Sequence, residues 1–580
     1  MSPPETFSLK RYLAAPTHIP EGGLQPRSWM LNTFLPQFVR PAPVLDEGRI
    51  ALLRKHGLDE DGAYAVRSGF GAGSLSDLTR LVVSAVRNGE ALMAETLPFN
   101  DPGPMSANPY LGTPFGMNPA MADIGGVRAL RLGDGDPETP CAQRCIALIN
   151  ARGKQMREEG LYEQGRFWHP HLRAFKLDAF RIAYDDMREQ GEEEGFGDFR
   201  HEHVRDGDRS LDYAVFQALN DKYRTPWQNW EDGDKRKKPI GHVEGPAADP
   251  EIGDRSLFHL YVQWHLQRQV RSYADAVRGA GGRVIADRAY GADPHTPETL
   301  RSWREEYGEG GSGAFLLDER GWPRYVNAVI DSAHGVQRWG HAAMNWPYAY
   351  EACMKLLLDS LQPIAGYADG CRLDYALGLS DGTTYVHPWN DHDRYFQFGP
   401  KDDAFRRIAE TFPNLAVYCE ACGLVGEDAH AARRRAGLRS LECVQWGGVA
   451  HQGDPGTVFF TDNQDTHTLP AIVNAGDVDW TLNLGHMRWM LHETGAKAGV
   501  DVQTGVLRII ERMMHSHRQI IATTLASLSG EWRCINEVGK QDVSYWQLIS
   551  PRTAEEMEGV FRRMGEIARQ ARRAARECVG

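Results

Sequence analysis

From Ala63 onward, short apolar runs alternate with longer stretches in which apolar residues recur every three or four positions. Such runs read as strands buried on both faces, and the longer period as amphipathic helices. The pattern predicts strands at Ala63–Val66, Ala91–Leu97, Arg283–Asp287, Gly366–Leu373, Leu415–Cys419, Leu441–Gln445 and Thr457–Thr461. It predicts helices at Leu75–Asn88, Leu257–Gly279 and Tyr350–Leu361. Repeated alternation implies parallel strands, in either an open doubly wound sheet or a closed eight-stranded barrel. Nothing favours the open sheet, because the glycine-rich run Gly308–Gly313 has no preceding strand and no following Lys-Ser/Thr, and reads as a loop.

The expected fold class is therefore α/β, a (β/α)8 TIM-type barrel over residues 63–548. Charged sequence of helical period interrupts the alternation over residues 125–258 and reads as a helical insertion subdomain. Residues 1–62 are punctuated by prolines (Pro16, Pro20, Pro26, Pro36, Pro41, Pro43) and read as a lead-in with little regular structure. Residues 549–580 read as a basic C-terminal helix that packs on the surface through Met557, Val560, Phe561 and Ile567.

Composition narrows the function. The 580 residues are 42% hydrophobic and 25% charged, which suits a globular protein. A net charge of −13 speaks against a nucleic-acid or anionic-membrane partner. No apolar run approaches the ~18 residues of a membrane helix, and polar Met1–Lys10 offers no secretory signal, so a cytoplasmic location is expected. Nine cysteines, an odd and modest number, suit reduced thiols. The 15 Trp and 20 Tyr raise the weight of a carbohydrate substrate, since flat amphipathic rings stack on sugar faces.

Three acidic residues close apolar runs: Asp374 in Cys371-Arg372-Leu373-Asp374, Glu420 in Val417-Tyr418-Cys419-Glu420, and Asp465 in Thr461-Asp462-Asn463-Gln464-Asp465. Their spacing leaves room for one strand–helix–strand unit each time, so all three can converge on the C-terminal mouth of one barrel, where barrel active sites lie. Glycoside chemistry uses such a set: one carboxylate attacks the anomeric carbon, a second carboxyl protonates the departing oxygen, and a third binds sugar hydroxyls. Arg372 shares a strand face with Asp374 and is expected to lower its pKa. Spacing alone leaves a second reading open, a structural Arg372–Asp374 ion pair with Glu420 and Asp465 as helix caps.

The run Arg372-Leu373-Asp374-Tyr375-Ala376-Leu377-Gly378-Leu379 resembles the Arg-Ile-Asp-His-x-x-Gly motif of the amylomaltases, or 4-α-glucanotransferases, of glycoside hydrolase family 77 in the α-amylase clan. Six more segments resemble that family: Asn108-Pro109-Tyr110 through Asn118-Pro119, Leu211-Asp212-Tyr213 to Trp227 and Trp230, Gln263-Trp264 to Gln269, Ile285-Ala286-Asp287, Trp339-Gly340 to Asn345-Trp346, and Ile535-Asn536 to Trp546. The resemblance implies Asp374 as nucleophile, Glu420 as general acid and base, and Asp465 as transition-state stabiliser. It implies sugar-binding roles for Arg372, Tyr110, Asp287, Trp339, Asn345, Tyr375, Gln464 and Asn463. Where the family has Glu-Asp-Leu-Gly the chain has Glu420-Ala421-Cys422-Gly423, departing at Ala421 and Cys422, and it departs further at Gln464 in place of His, at Met344 in place of Tyr and at Tyr375 in place of His.

The function expected is retaining α-glucosyl transfer between α-1,4-linked glucosides, from an α-glucan or small α-glucoside to a sugar or sugar-like acceptor. A retaining α-glucoside hydrolase and a catalytically silent carbohydrate-binding protein are the alternatives. No cofactor and no metal are expected: Cys419 and Cys422 read as buried thiols, and His387, Asp391, His392 and Asp393 as a solvated loop beside the mouth. The departures at Gln464 and Met344 point to altered substrate choice, with short donors preferred over long starch chains.

Overall fold

Eight parallel strands close into a barrel in the computed structural model: β1 (Trp29–Asn32), β2 (Met93–Thr96), β3 (Arg283–Arg288), β4 (Gly370–Leu373), β5 (Ala416–Glu420), β6 (Arg439–Cys443), β7 (Val458–Phe460) and β8 (Ile520–Thr524). Each strand pairs with its neighbours in sequence, and β8 pairs with β1 through Ile521 opposite Trp29. The structure describes residues 29–41, 47–60, 72–104, 106–159, 169–191, 193–246, 248–307, 311–331, 335–420, 427–443, 445, 457–475, 501–516, 520–536, 546–548 and 550–577. The strand expected at Ala63–Val66 and the departures at Ala421 and Cys422 lie outside these.

The lead-in expected over residues 1–62 is corrected, because Trp29–Asn32 is the first barrel strand. Four apolar-rich residues between prolines give little periodic signal; tertiary pairing with β8 and β2 makes them a strand. Trp29 is fully buried, donates its indole N–H to the Gly89 carbonyl at 2.7 Å, and packs on Phe561. Phe561 belongs to the helix Ala554–Glu577, whose Met557, Phe561, Met564, Ile567, Ala568 and Ala571 form a buried stripe against the helix Leu75–Gly89. Its Arg569 and Arg572 hold Glu90, where that helix ends.

Side chains alternate across each strand, and this builds the barrel in layers. Met30, Met93, Ile285, Tyr418, Val458, Phe460, Ile520 and Ala522 fill the axis. Leu31, Ala94, Val284, Cys371, Val417, Phe459 and Ile521 face outward, under the helices. Gly370 takes the inward place in β4, where a Cβ would sit 2.7 Å from Ile285 Cδ1 and 2.8 Å from the Ala416 carbonyl oxygen. Two residues beyond the last inward apolar or glycine position of seven of the strands, toward the C-terminal end, stands a buried polar one: Asn32, Glu95, Asp287, Arg372, Glu420, Asp462 and Thr524. The period of two thus sets an apolar floor beneath a polar upper layer.

The long β2–β3 connection carries helices from Pro140 to Gly279, the last of them Pro250–Gly279. A four-stranded antiparallel sheet that the pattern did not predict is built from Val326–Asp331 and Gly335–Ala342, before β4, and Thr383–His387 and Asn390–Gln397, after it. His387, His392 and Asp393 belong to its hairpin rather than to a loop. Among the described residues no helix is long and apolar enough to cross a membrane.

Candidate active site

Arg372 is the centre of the polar layer. Its side chain is fully buried, and Nη2 meets Glu420 Oε1 at 2.8 Å. Nη1 is shared among Gln464 Oε1 at 3.2 Å, Asp287 Oδ2 at 3.3 Å and Glu95 Oε1 at 3.3 Å. Strand pairing explains these partners, because Arg372 lies opposite Asp287 in β3 and Tyr418 in β5. The Arg372–Asp374 pairing expected from the shared strand face is corrected. Residues two apart in a strand are ~6.5 Å apart along it, so the guanidinium reaches sideways into the neighbouring strands.

Asp374 follows β4 and is half-buried. Its N–H donates to the Arg288 carbonyl at 3.1 Å, and its Oδ2 accepts from the Tyr290 N–H at 3.3 Å. Tyr290 comes this close because Gly378 has no side chain: a Cβ there would lie 2.4 Å from the Tyr290 ring. The motif glycine therefore packs the wall beside Asp374. Tyr375 has a left-handed backbone, φ 43°, which aims its N–H at Glu420 Oε2, 3.3 Å away. A non-glycine residue held in that region costs ~1 kcal/mol or more, and such strain gathers at sites that use it. Trp339 packs edge-on against Tyr375 with ring centres 4.6 Å apart.

Asp465, in the loop after β7, accepts Asn536 Nδ2 at 2.6 Å and Gln464 Nε2 at 2.9 Å, while Asn463 Oδ1 accepts the Asp465 N–H at 3.0 Å. Gln464 thus uses one end of its amide on Arg372 and the other on Asp465. Tyr110 donates its hydroxyl to Asp287 Oδ2 at 2.6 Å. Asn345 stands apart, donating its amide to the Gly313 carbonyl at 3.1 Å. Met344 is buried and lines a cavity of about 20 Å³ with Arg288, Tyr290, Phe315, Leu356 and Ser360. Glu95 and Tyr290 were not among the candidate residues. Glu95 is an acid inside the apolar run Ala91–Leu97, a signal that could have marked it, whereas Tyr290 carried no sequence signal.

Five carboxyl groups, Glu95, Asp287, Asp374, Glu420 and Asp465, crowd around the Arg372 guanidinium. Burial pushes Asp374 well above the ordinary carboxylate range, the charges of Glu420 and Asp287 push it further, and Arg372 opposes them without prevailing. The lowered pKa expected for Asp374 is corrected on this ground. Burial lifts Asp465 to about 6, aided by Glu420 and opposed by Asn536 and Arg372. Asp287 is likewise lifted to about 6 by burial, against Arg372 and the Tyr110 hydroxyl. Burial and mutual charge thus raise the carboxyls of Asp374, Asp465 and Asp287 together, so their titrations belong to the cluster rather than to any one residue.

The family model described as 4-alpha-glucanotransferase, glycoside hydrolase family 77, matches residues 63–550. The chain belongs to that family. A 4-alpha-glucanotransferase from Thermus thermophilus is 24% identical over 347 residues, which are 58% of this chain; the chain spans only 65% of that relative's length. Among solved structures, the amylomaltase from Streptococcus agalactiae in complex with acarbose superposes with a TM-score of 0.70 at 14% identity, over 93% of this chain and 99% of its own. The amylomaltase from Corynebacterium glutamicum gives 0.65 at 15% identity, over 96% of this chain and 76% of its own. These likenesses establish the shared fold.

Proposed function

We propose that this family 77 chain catalyses retaining transfer of α-1,4-linked glucosyl units through a covalent glycosyl ester on Asp374. The carrying observation is the joining of Asp374 and Glu420 across one turn: the Tyr375 N–H holds Glu420 next to the residue that follows β4, under the Arg372 guanidinium. In the reactive form the proton shared by the crowded pair lies on Glu420, so ionised Asp374 attacks the anomeric carbon as the bond from that carbon to the leaving oxygen breaks, and Glu420 gives the leaving oxygen its proton. In the second step Glu420 takes the proton of an acceptor hydroxyl, whose oxygen displaces Asp374 and restores the α configuration. Asp465, fixed by Asn536 and Gln464, is suited to hold ring hydroxyls as positive charge develops.

Water and a sugar hydroxyl satisfy the same second step, and family membership supports the sugar. Trp339 and Tyr375, set edge-on, offer an aromatic wall for a sugar face. A reducing, cytoplasmic setting is part of this reading, supported by the free thiols of Cys141, Cys145, Cys353, Cys371, Cys419, Cys443 and Cys534.

Glu420→Gln is expected to lose on the order of 10³-fold in rate on maltooligosaccharides but far less on an α-glucosyl fluoride, whose leaving group needs little protonation. Equal losses on the two substrates would remove Glu420 from the acid role. The same variant, incubated with a 5-fluoro-α-glucosyl fluoride and digested, should carry the sugar on the peptide containing Asp374. A label on another carboxylate would displace Asp374 as nucleophile.

A further inference from the structure

Glu95 lies inside the family 77 match but in none of the short motif segments quoted above, and has no place in the steps proposed, yet it is fully buried near the C-terminal end of β2. Strand alternation turns it inward, two residues beyond Met93. Its Oε1 is 3.3 Å from Arg372 Nη1, and among the described residues nothing donates a hydrogen bond to Oε2. Asp287, which shares Nη1, also has one oxygen without a donor among the described residues, Oδ1, but its Oδ2 takes a second donor, the Tyr110 hydroxyl at 2.6 Å. Across the barrel wall, β1 sets only the neutral Asn32 opposite Glu95. The charged groups that face it are thus Arg372 from β4, Asp287 from β3 and Glu420 from β5, with Gln464 as a neutral neighbour on the guanidinium.

An ionised carboxylate oxygen sealed from water, with no donor and with carboxylates for neighbours, is a costly state. A proton on Oε2 removes the charge and forfeits one hydrogen bond, while Oε1 still accepts from Arg372. We propose that Glu95 is a positioning residue for the transfer reaction: a protonated carboxyl that pins the Nη1 edge of Arg372 and thereby turns Nη2 onto Glu420. A neutral partner holds the guanidinium in place without taking up its charge, which remains for Asp287 and Glu420. Burial supports this by lifting Glu95 to about 8 against the pull of Arg372. The positioning role rests on the reading of Glu420 as acid and base; the protonation of Glu95 does not.

Two measurements read protonation without any turnover. In protein labelled with 13C at the glutamate δ-carbon, one carboxyl resonance should titrate near pH 8 and vanish in Glu95→Gln. Glutamates that are all ionised by about pH 6 would overturn the proposal. Stability should follow the same proton. The native wild type keeps it after the unfolded chain has lost it, so wild-type stability falls between the ordinary glutamate pKa and about 8. Glu95→Gln escapes that fall, so its melting temperature relative to wild type should climb across this window and level off above it. A constant difference would count against the proposal.

Positioning is read in the kinetics. Glu95→Ala should lose about tenfold to a hundredfold in kcat with KM little changed, the usual scale for a group that orients a catalytic residue. Glu95→Gln, which keeps the contact with Nη1, should recover most of that loss. Equal impairment of the two variants, or a change confined to KM, would refute the positioning role. If wild type transfers no glucosyl groups, the reading of the site fails while the carboxyl titration still decides whether Glu95 holds its proton.

Discussion

Asp374→Ala is expected to lower kcat for glucosyl transfer by ~10⁴-fold or more, equivalent to ~5.5 kcal/mol of barrier, while raising the melting temperature. The two effects share one cause. Asp374 sits where burial and the charges of Glu420 and Asp287 disfavour its ionised form, so the nucleophile is held in place against the stability of the fold. Removing it abolishes the attacking oxygen and relieves like-charge crowding. Its own hydrogen bonds are modest: the side chain accepts one backbone N–H, from Tyr290 at 3.3 Å. Activity assays and thermal melts on the same preparation check this. A folded variant with wild-type rates would take Asp374 out of the mechanism, and a large fall in melting temperature would make it a structural residue.

The second large effect concerns the fold. Arg372→Met should cost ~3–5 kcal/mol, the scale for breaking a buried ion pair by removing one partner, because Glu95, Asp287 and Glu420 then face each other without a cation. The loss should be smaller at pH 5 than at pH 8. Glu95 and Asp287 have raised pKa values in the folded protein, so near pH 5 they retain protons and need no counter-charge. As pH rises through about 6 for Asp287 and about 8 for Glu95 they ionise, and the missing guanidinium is felt. Melting curves of wild type and variant at the two pH values test this. A loss independent of pH would mean that Arg372 acts through packing.

Much of the barrel was legible because its central strands are continuous apolar runs separated by helix-period sequence, which only a parallel sheet covered on both faces requires. The first and last strands were not. Trp29–Asn32 has four residues amid prolines, and Ile520–Thr524 is a short run after the helix Val502–Ser516. Each becomes a strand by pairing with the other, across most of the chain length. The antiparallel sheet was hidden too, since Gly335–Ala342 and Asn390–Gln397 mix polar and aromatic residues without a clean period of two.

At the site, Asp374, Glu420 and Asp465 stood out because each acid ends an apolar strand or follows it closely. Sequence spacing placed Arg372 on the correct face but could not name its partners, which register with β3 and β5 determines. Gln464 was expected to meet a sugar hydroxyl. Its amide bonds to Arg372 and Asp465 at its two ends, so its exchange for the family's histidine bears on the support of two site residues as well. Met344 is buried and lines a small cavity together with Tyr290.

Incubation of the purified protein with maltotriose, followed by separation of the products over time, tests transfer most directly. Glucosyl transfer predicts a ladder of maltooligosaccharides longer than the starting trisaccharide, with glucose released alongside. Wild type should build that ladder and Asp374→Ala should not. Glucose and maltose alone, with no longer chains at any time, would show that water is the acceptor and contradict the assignment of transfer.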